Sequence, residues 1–302
     1  MKSCARDVRE DSQRVVKVMG ASLEGDSSGR HSRVTMTLKG LKRDQASPVG
    51  YPLLSAAKGR SGMSLLEQVL SASGGSDRWR NLRGFTVHMT MSGLLIEQKH
   101  QENSLKEVVI EADIREHSVR IMGFDASNDR LFCDLSQVGI ENENGQVIQA
   151  ERRSFEDWTK RASNGSWDVL DLAQFCGYSV WTLVAMPYLL ETAASIREGD
   201  PPLVNGGLQP LRLMHVEFSE TASIYPLQQK LFFDSEGLLV RVDYDALELR
   251  GRPVSQFVSA YQNFSGYIVP TLRRLRPVGP ETGPTKPPVL DIEIFDLSCR
   301  SE

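Results

Sequence analysis

Between residues 85 and 92 the chain reads Phe-Thr-Val-His-Met-Thr-Met-Ser, apolar and polar in strict alternation. Successive side chains of a β-strand point to opposite faces, so the run predicts a half-buried strand. Phe85, Val87, Met89 and Met91 fall on one face, and Thr86, His88, Thr90 and Ser92 on the other. Val108, Ile110, Ala112 and Ile114 repeat the alternation; Val119 and Ile121 resume it after a change of parity that predicts a bend. Asn144-Gly145, between Ile140 and Val147-Ile148, is the dipeptide of a tight hairpin turn. Met214, Val216 and Phe218 alternate with His215 and Glu217. Residues 231–234 and 238–244 flank Ser235-Glu236-Gly237, and residues 254–262 and 267–275 flank Ser265-Gly266. A last run, 289–297, follows a Pro/Gly-rich loop at 277–288. The pattern predicts about nine or ten strands, and the short connections make their sheet antiparallel.

Helical spacing appears in two places. Leu65, Leu66, Val69 and Leu70 define an amphipathic helix over 64–73, stopped by Gly74-Gly75. The second place is an insert between the two groups of strands, with a short helix at 155–161 and a longer stretch at 168–195. Residues 172–190, between Asp171 and Glu191, carry no charge, and Pro187 ends one helix and opens the next. A helix apolar on every side is buried in a protein or lies in a membrane. Gln174, Gly177, Ser179, Thr182 and Pro187 lower its hydrophobicity, and no basic cluster flanks it to set an orientation. The expectation is a central helix wrapped by the sheet, with no membrane span.

Composition separates the first 62 residues from the rest. They hold 12 Lys/Arg and 6 Asp/Glu, which leaves the remaining residues 23 basic against 33 acidic. Of 11 Phe, 7 Tyr and 4 Trp, only Tyr51 precedes Met63. A segment without aromatics or apolar periodicity cannot bury enough surface to offset its ordering entropy. Residues 1–62 therefore read as a disordered basic extension, and 63–302 as a single domain with its helical insert at about 155–196. The net charge of −4 gives no global basic field for nucleic acid. No continuous apolar stretch of secretory type opens the chain, and Asp7, Glu10 and Asp11 come too early for an Arg-rich transit peptide. A cytoplasmic location is the expectation.

No phosphate-binding loop, dinucleotide fingerprint, zinc-protease helix or nucleophile elbow is present. Cys4, Cys133, Cys176 and Cys299 are scattered, and no two of the histidines 31, 88, 100, 117 and 215 stand at ligand spacing, so no metal or cofactor is expected. His88 and His215 sit on the polar parity of their strands: they face solvent, or they hydrogen-bond a ligand or act as acid and base if that face lines a hollow. Arg273, Arg274 and Arg276 form the densest basic cluster after Met63, read either as a solvated edge strand or as a site for an anion or head group. Phe175, Tyr178, Trp181, Met186 and Tyr188 crowd the charge-free insert. The first three are spaced about three apart and form one stripe, either core or binding wall.

Leu65-Leu66, Gly74-Gly75, Trp79 and Leu82-Arg83-Gly84-Phe85, with the hairpins at 231–244 and 261–273, resemble the LolA/LppX-like superfamily of lipoprotein-carrier folds. The likeness covers roughly residues 63–297 and is closest to bacterial proteins of this layout without an export signal. It implies an α+β fold: a curved antiparallel sheet, an open half-barrel, wrapped around a central apolar helical insert. In such carriers the concave face holds acyl chains. The function it implies is binding of a hydrophobic small molecule, lipid or acyl chain in the hollow. Phe175, Tyr178, Trp181, Met186, Tyr188, His88 and His215 are the candidate contacts, and Trp181→Ala is expected to weaken ligand retention without unfolding the chain. The alternative is a cofactor-independent isomerase, dehydratase or cyclase acting on a hydrophobic substrate there, with His215 beside Glu217, or His88, as acid and base.

Overall fold

In the computed structural model, residues 63–200, 211–219, 224–278 and 288–301 are described. The expected extension at 1–62, and most of the Pro/Gly-rich loop at 277–288, lie outside them. Thirteen strands form one antiparallel sheet in the order β6-β5-β4-β3-β2-β1-β13-β12-β11-β10-β9-β8-β7. They are β1 (Leu82–Ser92), β2 (Val108–Asp113), β3 (Ser118–Met122), β4 (Arg130–Cys133), β5 (Gln137–Glu141), β6 (Val147–Arg152), β7 (Ser195–Gly199), β8 (Arg212–Glu217), β9 (Gln228–Phe233), β10 (Leu239–Ala246), β11 (Arg252–Phe264), β12 (Tyr267–Pro277) and β13 (Leu290–Ser301).

The first and last strands pair at the centre: β1 runs beside β13 from Leu82↔Ser301 to Ser92↔Asp291. One wing is the meander β1–β6, the other the meander β7–β13, and β6 and β7 are the unpaired edges. The sheet is open. It has more strands than the alternation predicts, because β4 and β7 span only 4 and 5 residues and lack a clean apolar period. The histidine-bearing strand follows its pattern: in β1, Phe85, Val87, Met89 and Met91 are buried, while His88 and Ser92 are exposed.

The insert leaves the chain at one edge of the sheet and returns at the other. It comprises three helices. To label all six in chain order, they are α1 (Leu65–Ala72), α2 (Ser76–Arg80), α3 (Leu94–Gln98), α4 (Phe155–Arg161), α5 (Val169–Val184) and α6 (Met186–Thr192). Reciprocal capping boxes open α1 at Ser64/Glu67, α4 at Ser154/Asp157 and α5 at Asp168/Asp171. Every residue of α5 except Val169 and Ser179 is buried, as a helix without a polar face requires. Pro187 sits in the first turn of α6, and the two helices meet at a bend of 91°. Among the described residues no single helix is long and apolar enough to cross a membrane.

Two glycines allow close approaches. A Cβ on Gly177 would stand 2.5 Å from the Cys133 Sγ, so the missing side chain lets α5 settle onto β4. Gly74 has φ +108°, and a Cβ there would strike the carbonyl oxygen of Gly266. The pair Gly74-Gly75 thus docks α1 against the β11–β12 turn, and the Trp79 indole N–H donates to Ser73 O at 2.9 Å beneath it.

A buried ionic cluster pins the start of α5. The Asp171 carboxylate accepts from Arg153 Nη1 at 2.9 Å and from Arg161 Nε at 2.7 Å. Arg153 also donates to Glu151 at 3.0 Å, and Arg161 Nη2 donates to Asp168 at 3.1 Å.

Candidate functional site

One side of α5 packs on β3, β4 and β5. On another side a cavity opens, bounded by α5, Met186 of α6, Leu95 of α3 and strands β10 to β13. From α5 it takes Phe175, Ser179, Thr182 and Leu183, spaced i, i+4, i+7 and i+8, one helical face. The sheet supplies Val242, Leu275, Leu290 and Ile292 as apolar wall. The enclosed room is about 30 Å³, enough for about two water molecules.

The polar groups in this wall have unusual positions. Arg273 lies on β12, which is interior to the sheet between β11 and β13, not an edge strand. Tyr267, Val269, Thr271, Arg273 and Leu275 share the inward parity, whereas Arg274 faces out and pairs with Asp291 at 3.6 Å. Only 2% of Arg273 is exposed. Its Nη1 donates to Gln256 Oε1 at 3.0 Å and its Nη2 to Leu183 O, in the last turn of α5, at 2.7 Å. A cation there opposes the negative end of the helix dipole. The third nitrogen, Nε, has no partner. Burial pulls the guanidinium down to about 10, still charged at neutral pH, with Tyr261 and Tyr244 opposing the shift.

Glu248 sits in a single 3-10 turn, Leu247–Leu249, closed by Arg250 in the left-handed region at φ +60°. Its Oε2 lies 3.4 Å from the Tyr225 hydroxyl, which accepts from Leu247 N–H and lies 3.0 Å from Asp245 O. Its Oε1 has no partner. Burial raises the carboxyl to about 7, against its own backbone N–H, the charge of Lys99 and the Tyr225 hydrogen bond, which favour ionisation. A carboxyl whose pKa is higher folded than unfolded stabilises the fold below its unfolded value, near 4.5, and loses that contribution as pH rises through about 7. The Glu248→Gln variant should therefore lose less stability than the parent between pH 4.5 and 7.5, by on the order of 2 kcal/mol. Denaturant midpoints across that range test it, and parallel curves would refute the assignment.

Of the residues expected from sequence, Phe175 and Met186 line this cavity. Tyr178 and Trp181 are buried elsewhere in the core. Tyr178 accepts from Gln174 Nε2 at 3.1 Å and meets Phe155 edge-on, with ring centres 5.6 Å apart; burial lifts its phenol to about 12. Trp181 stacks on His117 at 4.5 Å and meets Phe85 edge-on at 5.8 Å. Tyr188 is half-buried at the rim of the core. His88 and His215 lie on the face of their strands opposite the buried parity, so neither reaches the cavity. His215 instead borders an outer groove of about 430 Å³ with Arg197, Glu217, Lys230, Asp243 and Asp245. The Cys176 thiol is buried, and burial pushes it up to about 12, so it is not a nucleophile at neutral pH. Among the described residues no group of His, Cys, Asp and Glu could hold a metal ion.

The sequence reasoning passed over Ser179, Thr182 and Glu248 and did not single out Arg273 within its cluster. For three of them a signal was there. Ser179 and Thr182 mark the helical face running from Phe175 to Met186, and Arg273 occupies the apolar parity of its strand. Glu248, between two leucines outside any periodic segment, gave none.

No family model and no curated protein matches the chain. Its structure is similar to that of a LolA-superfamily protein from Nitrosomonas europaea, at 9% identity and a TM-score of 0.42 over 79% of this chain and 93% of the other. A DUF1329-family protein from Desulfovibrio piger is also similar, at 9% identity and a TM-score of 0.34 over 78% and 91%. The open antiparallel sheet with its helical insert stands on the strand pairing itself.

Proposed function

We propose that the protein binds a hydrophobic small molecule or acyl chain in the hollow between α5–α6 and strands β10–β13. One observation carries the reading: a cavity in the core, part of its wall apolar, retains two buried ionisable groups, Arg273 and Glu248, each with an unpartnered polar atom. A core shaped for stability alone gains nothing from such groups, because each unmatched buried atom costs about 1–3 kcal/mol. A site for a ligand with an apolar body and a polar end does gain from them. The cavity is smaller than such a ligand, so binding displaces side chains; Met186, unbranched, is the lining residue that moves at least cost. The enzymatic alternative assigned its proton transfers to His88 or His215, and both lie on the opposite face.

The test is denaturing extraction and mass spectrometry of the protein purified from its own host, beside a Ser179→Phe variant. Ser179 faces the cavity and is only half-buried, so a phenyl ring there takes the space a ligand would open, without deleting a core side chain. A stoichiometric apolar compound in the parent, reduced to a trace in the variant, is expected. A compound retained equally by both, or an empty parent that also takes up no apolar probe, would overturn the reading.

A further inference from the structure

Building on the apolar-binding reading above, we infer that the ligand is a carboxylic acid: its head sits between Arg273 and Glu248, and its hydrocarbon body lies along Leu183, Met186 and Ile292.

The geometry specifies the head group. Arg273 is a cation inside the core, and among the described residues no carboxylate stands within ion-pair distance of it. Its two terminal nitrogens are committed to Gln256 and to the Leu183 carbonyl, both neutral acceptors. Its Nε is the one guanidinium nitrogen with no partner, and its charge is uncompensated. Glu248, in the wall of the same cavity, offers one free oxygen. Burial raises its pKa to about 7, and its protonated form is a hydroxyl donor there.

A carboxylate meets both demands. One oxygen accepts the Arg273 Nε–H, and the other accepts the Glu248 O–H. The site then holds one positive and one negative charge, with a single proton shared between two carboxyl groups. Other heads fit less well. An ammonium would face an unpaired guanidinium. An alcohol cannot neutralise Arg273. A phosphate monoester brings close to two negative charges to one cation and adds a third oxygen with no donor to meet it. The enclosed room, about 30 Å³, is of the size of a carboxyl group and leaves the hydrocarbon body to be accommodated by rearrangement of the apolar wall.

Arg273 also closes the last turn of α5, and that role alone would account for its burial. The two roles differ in what a ligand senses. Isothermal titration of the full chain at pH 7 with octanoic acid, 1-octanol and octylamine, which share one chain length, separates them. The acid is expected to bind at least about tenfold tighter than the alcohol, because hydrogen bonds to charged groups are worth that much or more. The amine should bind more weakly than the alcohol. In Arg273→Gln the preference for acid over alcohol should fall below about threefold. Arg274→Gln, on the outer face of the same strand, should keep the preference. Equal binding of acid and alcohol by the parent overturns the head-group assignment and leaves the apolar reading standing. Binding of none of the three overturns both. An acid preference lost equally in Arg274→Gln would mean surface attraction, which also overturns the assignment. Should Arg273→Gln fail to fold, the ratio measured on the parent decides, with Glu248→Leu as the second variant, expected to weaken the acid by about tenfold and the alcohol little.

Discussion

Replacing Asp171 by alanine is expected to lower the unfolding free energy by about 3–5 kcal/mol, the usual cost of breaking a buried ion pair from one side. Asp171 is 2% exposed, and Arg153, its partner at 2.9 Å, is 5% exposed. Removing the carboxylate leaves the buried Arg153 guanidinium with only the more exposed Glu151 and Asp168, and takes a partner from Arg161. It also removes half of the capping box that opens α5, since the Asp171 side chain accepts the Asp168 backbone N–H. Because α5 is the central helix, the whole hollow depends on this end being fixed. Equilibrium denaturation of Asp171→Ala gives the number. The double variant Arg153→Met/Asp171→Leu should recover most of the loss, because neither charge is then left alone. A loss under about 1 kcal/mol in the single variant, or a double variant no better than the single, would sink the account.

The second large effect belongs to Trp181. It is 2% exposed and touches both Phe85 of β1 and His117 ahead of β3, so it ties α5 to the middle of the sheet. Trp181→Ala is expected to cost about 3–5 kcal/mol by lost transfer energy and the cavity left behind. Read from the sequence, this substitution is a probe of ligand retention. In the structure the indole lies outside the cavity wall, so the variant's first effect is on stability, with any effect on ligand binding following from it. Chemical denaturation followed by near-ultraviolet circular dichroism measures this. A variant within about 1 kcal/mol of the parent would place the indole in a site that relaxes freely, contrary to its packing.

Much of the fold was legible because it rests on local rules. Strict alternation at Phe85–Ser92 fixes which face of β1 is buried, whatever its neighbours are. The charge-free run 172–190 must be enclosed, and Pro187 must interrupt it. Gly74-Gly75 marks a helix stop by backbone freedom alone. The short strands β4 and β7 were not legible: β4 is buried by what packs on it, β7 is a half-exposed edge, and neither carries a period of its own.

The site was legible only in part, for a reason that lies in helix geometry. Phe175, Tyr178 and Trp181 recur at three residues, which winds slowly around a helix of 3.6 residues per turn. From Phe175, the face that meets the cavity passes through Ser179, Thr182 and Leu183 to Met186, and the two larger rings turn away from it. Which face of an all-apolar helix meets the empty space is set by the sheet wing it settles on. That choice falls to Gly177 over Cys133, a contact between residues 44 positions apart.

The amino-acid sequence by itself determined the antiparallel strands, the buried helix and its break at Pro187, because each follows from neighbours a few positions away along the chain. Only the tertiary structure decided that β1 and β13 pair at the centre, that His88 and His215 face outward, and that Glu248 and Arg273 share one cavity. Those outcomes depend on long-range strand pairing, whose register is set by the summed burial of a whole face and is written in no single segment.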